Sequence, residues 1–426
     1  MRRVWRVGVG CVLAGVCASS AAAQTTLTWS QVRDRFEATN PTLLAGRIGL
    51  EEAKAAEVTA FLRPNPQWGV TLDQVGTTEE GNPFSASTLT ASVSYLHERE
   101  HKRELRRDSA VGATTIAAST QADLERNLLF ALRTSFVQVL QARAFLALAQ
   151  ENLRSYDDVL GLSRDRFQAG DIAQIDLDRL QLQRVSYESD VQTALVNLRT
   201  AKIQLLRLLN DPSTPVEQFD VDGPFDFAAP ARSLADLRQA ALERRPDLRA
   251  ALDAVAKAET DHRLAIANGS ADPTVTVDAG FPSISQVWQS YQPPLHQYVG
   301  VGVTLPLRIF DKNQGEKRRT ELDVTRNAKL ADAARLQVFG DVDTAYAAVT
   351  SAVALLQPYR AAYLEQAARV HETVTFSYQR GGASLLDFLQ AEQEYRAVRL
   401  GYVNLVAAYL NAAAQLNLAV GEEVVP

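Results

Sequence analysis

One unit occurs twice in this chain, and no other feature restricts the possible folds as strongly. Segment 40–43 (Asn-Pro-Thr-Leu) returns as 245–248 (Arg-Pro-Asp-Leu), 205 residues later, and 167–170 (Phe-Gln-Ala-Gly) returns as 378–381 (Tyr-Gln-Arg-Gly), 211 residues later. Because these landmarks keep the same order at nearly constant spacing, we infer a tandem duplication. Two repeats of about 200 residues could be two domains by length, but we expect them to share one barrel and one helical bundle.

Four prolines interrupt the helical pattern between the repeats, where we place a linker. Each repeat is predicted to contain a helix, a β-hairpin, a long helix and a further helix, in that order. The predicted segments are a signal peptide at 1–23; a first repeat at 24–211, with hairpin 67–95 and helices 102–168 and 172–210; the linker at 212–232; and a second repeat at 233–426, with hairpin 273–306 and helices 315–379 and 383–420.

The amino terminus has the pattern of a secretory signal peptide. Three arginines precede an uncharged apolar run, and three alanines end the segment at residue 23, which predicts export. Both cysteines, Cys11 and Cys17, lie within it, so no disulfide, thiolate metal site or cysteine nucleophile is expected in the mature chain. Acylation of Cys17 is left open, although the preceding residues lack the small residue that ends a usual lipobox.

Charge and composition exclude several classes of protein. The 426-residue chain has 44 Lys+Arg and 50 Asp+Glu, and loss of three arginines with the signal peptide leaves 41 against 50, a net charge of −9. An acidic body of this kind argues against nucleic acid as a partner. With 46% hydrophobic and 22% charged residues, the chain is also not collagen-like, wholly disordered or a helical multi-span membrane protein.

Each repeat has a long stretch that can stay helical because proline is scarce there. The predicted helix 102–168 has 67 residues and its counterpart 315–379 has 65, interrupted only by Pro358. At 1.5 Å per residue the first would be about 100 Å long. Its apolar residues form a narrow stripe, which is typical of helices in a coiled-coil-like bundle. Members of the stripe are Leu124, Leu128, Leu132, Val139 and Leu146.

Four segments alternate apolar with small or polar residues, which is the period of a β-strand. Each is about 8 to 10 residues long, as a tilted strand needs to cross a bilayer. No apolar run of about 18 residues is evident after residue 23, so a membrane-spanning helix is not expected. The residues predicted to face lipid are Trp68, Val70, Leu72, Leu89, Val93, Tyr95, Val275, Val277, Phe281, Val299, Val301 and Val303.

A soluble hairpin packed on a helix would show the same alternation, and for one hairpin alone that interpretation is preferred. Two matched hairpins in an exported chain favour membrane strands. Because the smallest membrane barrels use about eight strands, four strands cannot close a barrel, and three copies of the chain would supply 12. Such a barrel has a lumen, and loops 76–83 and 283–296 are expected to face outward.

Several stretches resemble a known family. Residues 27–43, followed by Pro64-Asn65-Pro66, resemble the opening of TolC-family outer membrane efflux proteins, and the resemblance covers residues 27–421. Segment 305–315 (Leu-Pro-Leu-Arg-Ile-Phe-Asp-Lys-Asn-Gln-Gly) is similar to the strand-to-helix junction of the heavy-metal branch, the outer membrane partners of cobalt-zinc-cadmium type efflux pumps. That junction usually reads Pro-Leu-Pro-Ile-Phe-Asp-Arg-Asn-Gln-Gly, and this chain departs from it at residues 308 and 312.

The first repeat resembles the same branch less closely. Glu98 with Lys102 and Arg103 is similar to its Glu-x-Gly-Gly-Lys-Arg junction, but Glu100 and His101 replace the two glycines. Leu96 also stands where proline is common. These departures weaken the resemblance to the heavy-metal branch more than the resemblance to the TolC family as a whole.

The resemblance implies a mainly α fold with a small membrane β part, the TolC-like trimeric α/β barrel. Four strands per protomer would enter a 12-stranded outer membrane barrel, and long coiled-coil helices would form a periplasmic tunnel. It implies a homotrimer in the outer membrane of a Gram-negative bacterium, joined to a periplasmic adaptor (membrane fusion) protein and an inner-membrane resistance-nodulation-division transporter.

The implied function is a passive exit duct that carries divalent heavy-metal cations from the periplasm to the outside, without enzyme activity or a cofactor. A duct for drugs or secreted proteins is the alternative within the family. The exported cargo, the partner proteins and the state of the gate are left open.

The resemblance places the periplasmic entrance at the turns 167–176 and 378–387. Gly170 and Gly381 suit a helix-ending turn that needs φ > 0. Asp176 and Asp387 would form acidic rings at the pore constriction and pair with arginines there. An acid in a first helical turn also simply favours the helix dipole, and both interpretations stay open.

The predicted site residues fall into two groups at these turns. The predicted periplasmic gate consists of Asp176, Asp387 and Arg380, with Arg164 and Arg166 as further partners of the acids. The predicted adaptor-docking residues are Phe167, Gly170, Ile172, Tyr378, Gly381, Leu385 and Leu386. Among them, Ile172, Leu385 and Leu386 are expected to be exposed apolar tips.

One catalytic motif competes with the channel hypothesis. Residues 97–101 match H-E-x-x-H, in which His97 and His101 would bind zinc and Glu98 would act as general base, with Glu125 as a further ligand. The motif works on a helix, whereas here it directly follows a predicted strand, so a polar junction is the preferred interpretation. A third hypothesis is an exported coiled-coil structural protein without a pore.

Overall fold

The computed structural model describes residues 25–73, 75, 87–282 and 297–425. The predicted signal peptide with Cys17 and the two predicted outward loops, 76–83 and 283–296, lie outside the described residues. In chain order the elements are β1 (Thr25–Thr28), α1 (Trp29–Thr39), α2 (Pro41–Ala60), β2 (Gln67–Asp73), β3 (Thr88–Leu96), α3 (Lys102–Ala169), α4 (Gln174–Leu208), a 3-10 turn (Val216–Gln218), β4 (Phe219–Asp222), α5 (Leu234–Arg244), α6 (Pro246–Ala267), β5 (Thr274–Pro282), β6 (Tyr298–Thr304), α7 (Gln314–Pro358), a π-helical turn (Tyr359–Tyr363), α8 (Leu364–Gln379) and α9 (Leu385–Val420).

Two compact units are each assembled from three chain segments. The described parts of the helical unit are 25–37, 135–225 and 364–404, and those of the sheet unit are 38–73, 75, 87–134, 226–282, 297–363 and 405–425. Each unit therefore draws on both sequence repeats, and neither unit coincides with one repeat.

The helical unit contains a short parallel pair of strands that the sequence did not indicate. β1 pairs with β4 from Thr25 opposite Phe219 to Thr28 opposite Asp222, and Phe219 and Val221 are fully buried. β4 and the 3-10 turn lie inside the predicted linker 212–232. β4 has only two apolar residues in alternation, which is too short a pattern to predict a strand from the sequence. Its pairing with β1 is what makes this segment a strand.

The chain leaves α4 through a turn organised around one carboxylate. Asp211 accepts hydrogen bonds from Ser213, at 3.1 Å from the backbone nitrogen and 2.8 Å from Oγ, and from Thr214, and it pairs with Arg35. The Thr214 hydroxyl, followed by Ser213, holds the pKa of Asp211 well below its usual range. The turn therefore ties α1 to the end of α4 within the helical unit.

The sheet unit carries four strands in the order β2-β3-β5-β6, all antiparallel to their neighbours.

The start of α6 is fixed by Arg245, which is 4% exposed. Its Nη2 donates to Asp247 Oδ2 at 2.6 Å and its Nη1 to Asp341 Oδ2 at 2.7 Å. This pairing joins α6 to α7, the two helices that flank the second hairpin in the chain.

Two expectations about helices need correction. Helix 315–379 is not continuous: α7 ends at Pro358, a π-helical turn follows, and α8 starts at Leu364. Proline lacks an N–H and its ring clashes with the preceding turn, which locally disrupts the helical hydrogen bonds.

The second correction concerns α9, which by length and composition is apolar enough to cross a membrane. Half of its most apolar window is buried inside the protein, and Val406, Ala407 and Leu410 are among its core residues. Packing therefore explains its apolar composition.

Candidate functional site

All twelve residues predicted to face lipid lie on one face of the four-stranded sheet. One row across the sheet runs from Trp68 through Val93 and Val277 to Val301. The other rows are Val70, Ala91, Ala279 and Val299; Leu72, Leu89 and Phe281; and Tyr95, Val275 and Val303. Exposure on this face reaches 76% at Val299. A contiguous exposed apolar face of this kind marks a contact with a membrane or a partner.

The opposite face is small and polar. Its two central rows are Gly69, Ser92, Asp278 and Gly300, and Thr71, Thr90, Gly280 and Tyr298. A Cβ at Gly280 would lie 2.1 Å from the Tyr298 ring, so the missing side chain makes room for that ring. In the described strands of this sheet, Asp73 and Asp278 are the charged residues, and none is basic. This face suits water and cations.

The two predicted entrance turns lie in the helical unit and share one backbone geometry. Gly170 has φ +83° and Gly381 has φ +80°, the left-handed conformation that ends a helix in a Schellman motif. The matched backbone hydrogen bonds are Gly170 N to Phe167 O at 3.0 Å and Asp171 N to Arg166 O at 2.8 Å, and Gly381 N to Tyr378 O at 3.0 Å and Gly382 N to Ser377 O at 2.8 Å.

A buried core lies directly behind both turns. Its members are Tyr156, Val159, Leu160, Leu177, Leu180, Tyr187, Tyr378 and Phe388. Phe167, Ile172 and Leu385 are half-buried against it, so the expectation that Ile172 and Leu385 are exposed tips is wrong. Leu386 is 73% exposed, and Ile175, which the sequence analysis did not select, is 58% exposed. Burial of apolar area against the core decides which tips turn inward.

The two acids of the predicted gate differ in their surroundings. Asp387 forms a capping box with Ser384: its Oδ2 accepts from Ser384 N at 3.1 Å and Oγ at 2.7 Å, and its own N–H donates to Ser384 Oγ at 3.2 Å. The Ser384 hydroxyl lowers the pKa of Asp387. α4 has Ala173 at the same position, without a side-chain cap, and the Asp176 carboxylate has no partner in the described chain.

The arginines near the turns make contacts other than the predicted ion pairs. Arg166 Nη1 donates to the Tyr378 carbonyl at 2.7 Å, and the Arg380 guanidinium lies 4.3 Å from the Phe376 ring centroid. Within the described part of one chain, neither arginine pairs with Asp176 or Asp387. An acid–arginine gate would therefore have to form between subunits.

The H-E-x-x-H motif lies outside any helix. Residues 97–99 have no regular secondary structure, and Glu100 and His101 form a turn with φ 54° at both. Glu98 pairs with Arg106, and no cluster of three His, Cys, Asp or Glu residues that could hold a metal occurs in the described ranges. The geometry that a zinc peptidase needs is therefore not formed at these residues.

The same junction contains a cation, Lys102, whose burial the sequence did not indicate. Lys102 is 3% exposed; its Nζ donates to Asp272 Oδ2 at 2.6 Å and to the Ser270 carbonyl at 2.7 Å. Lys102 lowers the pKa of Asp272 against the opposing effect of burial. This contact links the start of α3 to the segment before β5.

A further apolar surface on α4 could have been found from its spacing. Ile175, Leu182, Val196 and Ile203 recur at intervals of seven or fourteen residues, and they are 58%, 74%, 63% and 49% exposed. We call these four residues the α4 stripe. A seven-residue apolar period is typical of a helix that packs against another helix in a coiled coil.

A helical unit and a four-stranded sheet that is apolar on one face are the parts that the predicted outer membrane channel requires. Residues 237–422 match the family described as outer membrane efflux protein. The chain is 24% identical over 388 residues to the cobalt-zinc-cadmium resistance protein CzcC of Cupriavidus metallidurans, covering 90% of this chain and 87% of CzcC. It is 24% identical over 348 residues to the pyoverdine export outer membrane protein OpmQ of Pseudomonas aeruginosa, covering 81% and 72%.

Solved structures share the fold. The outer-membrane channel OprN superposes with a TM-score of 0.76 at 17% identity, covering 92% of this chain and 89% of OprN. CusC gives 0.75 at 17% identity with 92% of both chains covered, and the MtrE channel of Neisseria gonorrhoeae gives 0.74 at 17% identity with 100% and 98% covered. The family match and the shared fold confirm the predicted family and fold class, those of outer membrane efflux channels.

Proposed function

We propose that this chain forms a homotrimeric exit duct that passes divalent heavy-metal cations from the periplasm through the outer membrane, as part of a tripartite efflux pump. The observation that carries this proposal is the four-stranded sheet, which has one exposed apolar face, one polar face with acidic residues only, and two open edges. Outer membrane efflux channels work as trimers with adaptor and resistance-nodulation-division partners.

The strand directions support closure by identical copies. β2 and β6 are the edge strands of the sheet, and because an even number of antiparallel strands separates them, they run in opposite directions. β6 of one subunit can therefore pair antiparallel with β2 of the next. Three copies would close 12 strands, which removes open edges and leaves a lumen. The twelve apolar residues would then face lipid, and Asp278 would face the lumen.

The α4 stripe supports the same assembly in the helical unit. Its four apolar residues have the spacing of a coiled-coil seam, and their exposure shows that one chain alone leaves this seam unfilled. A helix of a second copy is the occupant that a trimer supplies. The helices would thereby extend the lumen into the periplasm.

We propose Asp176, Asp387 and Arg380 as residues of the periplasmic gate. Asp176 is the stronger candidate for an ion-attracting ring, because no side chain of the described protomer neutralises it, whereas Ser384 holds the Asp387 carboxylate in a cap. In a trimer, three copies of Asp176 would attract cations and repel anions at a constriction. Asp387 would contribute mainly by shaping the turn.

We propose that the two turns also dock the adaptor. Leu386 is their most exposed apolar side chain, and Gly170 and Gly381 fix the turns around it, while Phe167, Ile172, Tyr378 and Leu385 support them from the core side. Beside Leu386, an open groove of about 1050 Å³ runs between α4 and α9. Its lining residues include Gln183, Ser186, Gln390, Gln393 and Glu394. Such a mixed apolar and amide surface suits a helical hairpin of a partner.

The cargo is inferred from two features. CzcC matches over 90% of this chain and is described as a cobalt-zinc-cadmium resistance protein, and the polar strand face and the gate candidate Asp176 are acidic. OpmQ, whose described cargo is the siderophore pyoverdine, shows that relatives export other compounds. The charge of the polar face favours cations in this chain.

Deletion of the gene tests the cargo. We expect a several-fold lower tolerance to zinc, cobalt or cadmium salts with unchanged tolerance to antibiotics and detergents, restored by the wild-type chain. Sensitivity to drugs without metal sensitivity would contradict the metal proposal and leave the channel intact. A monomer released from membranes by salt, measured by light scattering, would contradict the trimeric barrel.

Conductance in planar bilayers tests the gate. We expect Asp176→Asn to lower cation selectivity more than Asp387→Asn, because the Asp387 carboxylate is engaged by Ser384. Asp178→Asn, two residues further along α4 and therefore about 200° around the helix from Asp176, is the matched control. Equal effects of all three variants would show that the ring at Asp176 does not set selectivity.

A further inference from the structure

We propose that residues 305–312, which follow β6 and which we call the junction segment, bind anionic phospholipid at the periplasmic surface of the outer membrane. This inference rests on the proposed function, which places β6 in the barrel and α7 in the periplasm. The junction segment connects these two elements, so it would cross the membrane–water boundary.

The apolar alternation of the β6 sequence continues into the junction segment. Odd-numbered residues of β6 carry that face, and Leu305, Leu307 and Ile309 continue the alternation beyond Thr304. Leu305, Leu307 and Ile309 are 45%, 77% and 63% exposed, and Phe310 is 90% exposed. Aromatic and aliphatic residues at the rim of a membrane barrel are stabilised where acyl chains meet headgroups.

The junction segment is held by hydrogen bonds although its apolar side chains are exposed. Asn313, with φ 61°, donates from Nδ2 to the Ala265 carbonyl of α6 at 2.8 Å and from its backbone nitrogen to Asp311 Oδ1 at 2.8 Å. Ile309 N also donates to the Leu307 carbonyl at 3.0 Å. The sheet unit thus presents this apolar surface in a defined geometry without burying it.

Two cations accompany the apolar residues. The Arg308 and Lys312 side chains are exposed and have no ion pair or hydrogen bond in the described chain. The nearest acid in sequence, Asp311, accepts from the Asn313 backbone instead. A guanidinium and an ammonium group complement lipid phosphates, and basic residues at a membrane boundary attract anionic lipids. Because the whole chain is acidic, with a net charge of −6, this attraction is local.

The geometry favours lipid over a neighbouring subunit as the occupant. A neighbouring strand would add to β6 in the plane of the sheet, through backbone hydrogen bonds at its edge. The exposed apolar side chains of the junction segment instead continue the sequence alternation of β6, whose apolar side chains point away from the plane of the sheet. In the proposed barrel this face meets lipid.

Nitroxide labels at single cysteines test the location of the segment. The sequence contains only Cys11 and Cys17, both in the predicted signal peptide, so Phe310→Cys would give one label per mature chain. In proteoliposomes of phosphatidylglycerol and phosphatidylcholine, we expect the label at 310 to be more accessible to oxygen than to a polar nickel reagent. Labels at Val301→Cys and Ser92→Cys test the barrel itself: the first should be in lipid and the second in water.

Headgroup selectivity is tested by native mass spectrometry of the full-length protein with equimolar phosphatidylglycerol and phosphatidylcholine. We expect Arg308→Gln with Lys312→Gln to reduce the preference for phosphatidylglycerol about fivefold for each charge removed. The matched control, Lys329→Gln with Arg335→Gln, removes two cations further along α7 and should leave the preference unchanged.

The outcomes separate the two proposals. Labels at 301 in lipid and at 92 in water, with a label at 310 that is shielded from both reagents, would overturn the lipid assignment and indicate a neighbouring subunit. A label at 310 in water, or an unchanged lipid preference in the double variant, would also overturn it. A label at 301 in water would instead contradict the barrel of the proposed function.

Discussion

The two entrance turns of the helical unit have the same backbone but different caps. Gly170 and Gly381 adopt nearly the same φ, and Leu177 and Phe388 occupy matching core positions behind them. Yet α9 starts with a capping box, whereas α4 starts at Ala173 without a side-chain cap. The comparison teaches that both turns have the glycine and the core residue that the backbone conformation requires, whereas the polar side chains that cap the following helices differ. One acid became structural and the other stayed unpaired.

The largest expected loss of stability comes from substitutions in the core behind the turns. Phe388→Ala should lower the free energy of unfolding by about 3–5 kcal/mol, and Leu177→Ala by about 2–5 kcal/mol, because each leaves a cavity among buried side chains. Guanidinium unfolding of the detergent-solubilised protein, followed by far-UV circular dichroism, measures both. Leu386→Ala is the control and should change stability by less than about 0.5 kcal/mol. A large loss at Leu386 would mean that this tip is buried in the assembly.

The glycines should be equally important in the two turns. Gly170→Ala and Gly381→Ala are each expected to cost about 1–2 kcal/mol, because an L-residue is strained in the left-handed conformation. A new Cβ would meet nothing within 4 Å at Gly170 and only Arg166 at 3.6 Å at Gly381, so steric clash adds little. In the same unfolding assay, Gly161→Ala within α3 should stabilise by about 0.5–1 kcal/mol. Unequal losses at the two turns would contradict their equivalence.

Exchanging the caps should make the turns alike. Ser384→Ala is expected to destabilise by about 1 kcal/mol, and Ala173→Ser to stabilise by a similar amount, since serine can accept the N–H of the acid three residues later. Amide hydrogen exchange at residues 387 and 176 reports each cap directly. Faster exchange at 387 and slower exchange at 176 are expected. No change at 176 in Ala173→Ser would show that this turn cannot form the box.

The smallest expected effect is a dependence on pH at one turn. Because Ser384 lowers the pKa of Asp387, the folded-state pKa lies below that of the unfolded chain. The contribution of the carboxylate to stability is therefore present above the unfolded value, about 3.9, and is lost as the pH falls through the folded value. Melting temperatures from neutral to acid pH should show a decline that is smaller in Asp387→Asn. Ser384→Ala, which removes the hydroxyl that lowers this pKa, should reduce the decline in the same way.

Much of the fold was predictable because it depends on local patterns. Alternation at Val275 and Val277, or at Val299 and Val301, indicates strands wherever a face is apolar, and the four strands per protomer are confirmed. Gly170 and Gly381 indicate helix ends because few other residues accept φ > 0. These signals need no knowledge of what the segment touches.

Other features depended on partners distant in sequence. In the sequence, Lys102 stands in a charged run of the kind that is usually exposed. Only the approach of Asp272 in the folded chain makes it one half of a buried ion pair. β4 becomes a strand only beside β1. Ile172 and Leu385 are as apolar as Leu386, and only the position of the core distinguishes the half-buried pair from the exposed tip. No local pattern carries this information.

The sequence by itself indicated a repeated unit and determined the order of helices and hairpins, the two faces of the strands and the positions of the turns, because periodicity and backbone sterics act over a few residues. The tertiary structure alone decided that each compact unit takes segments from both repeats, that H-E-x-x-H lies in a turn, and that Asp387 is capped while Asp176 has no partner. These outcomes depend on burial and on hydrogen bonds that form only when the chain is folded. The physical reason is that a side chain's type sets what it can bind, and its surroundings set what it does bind.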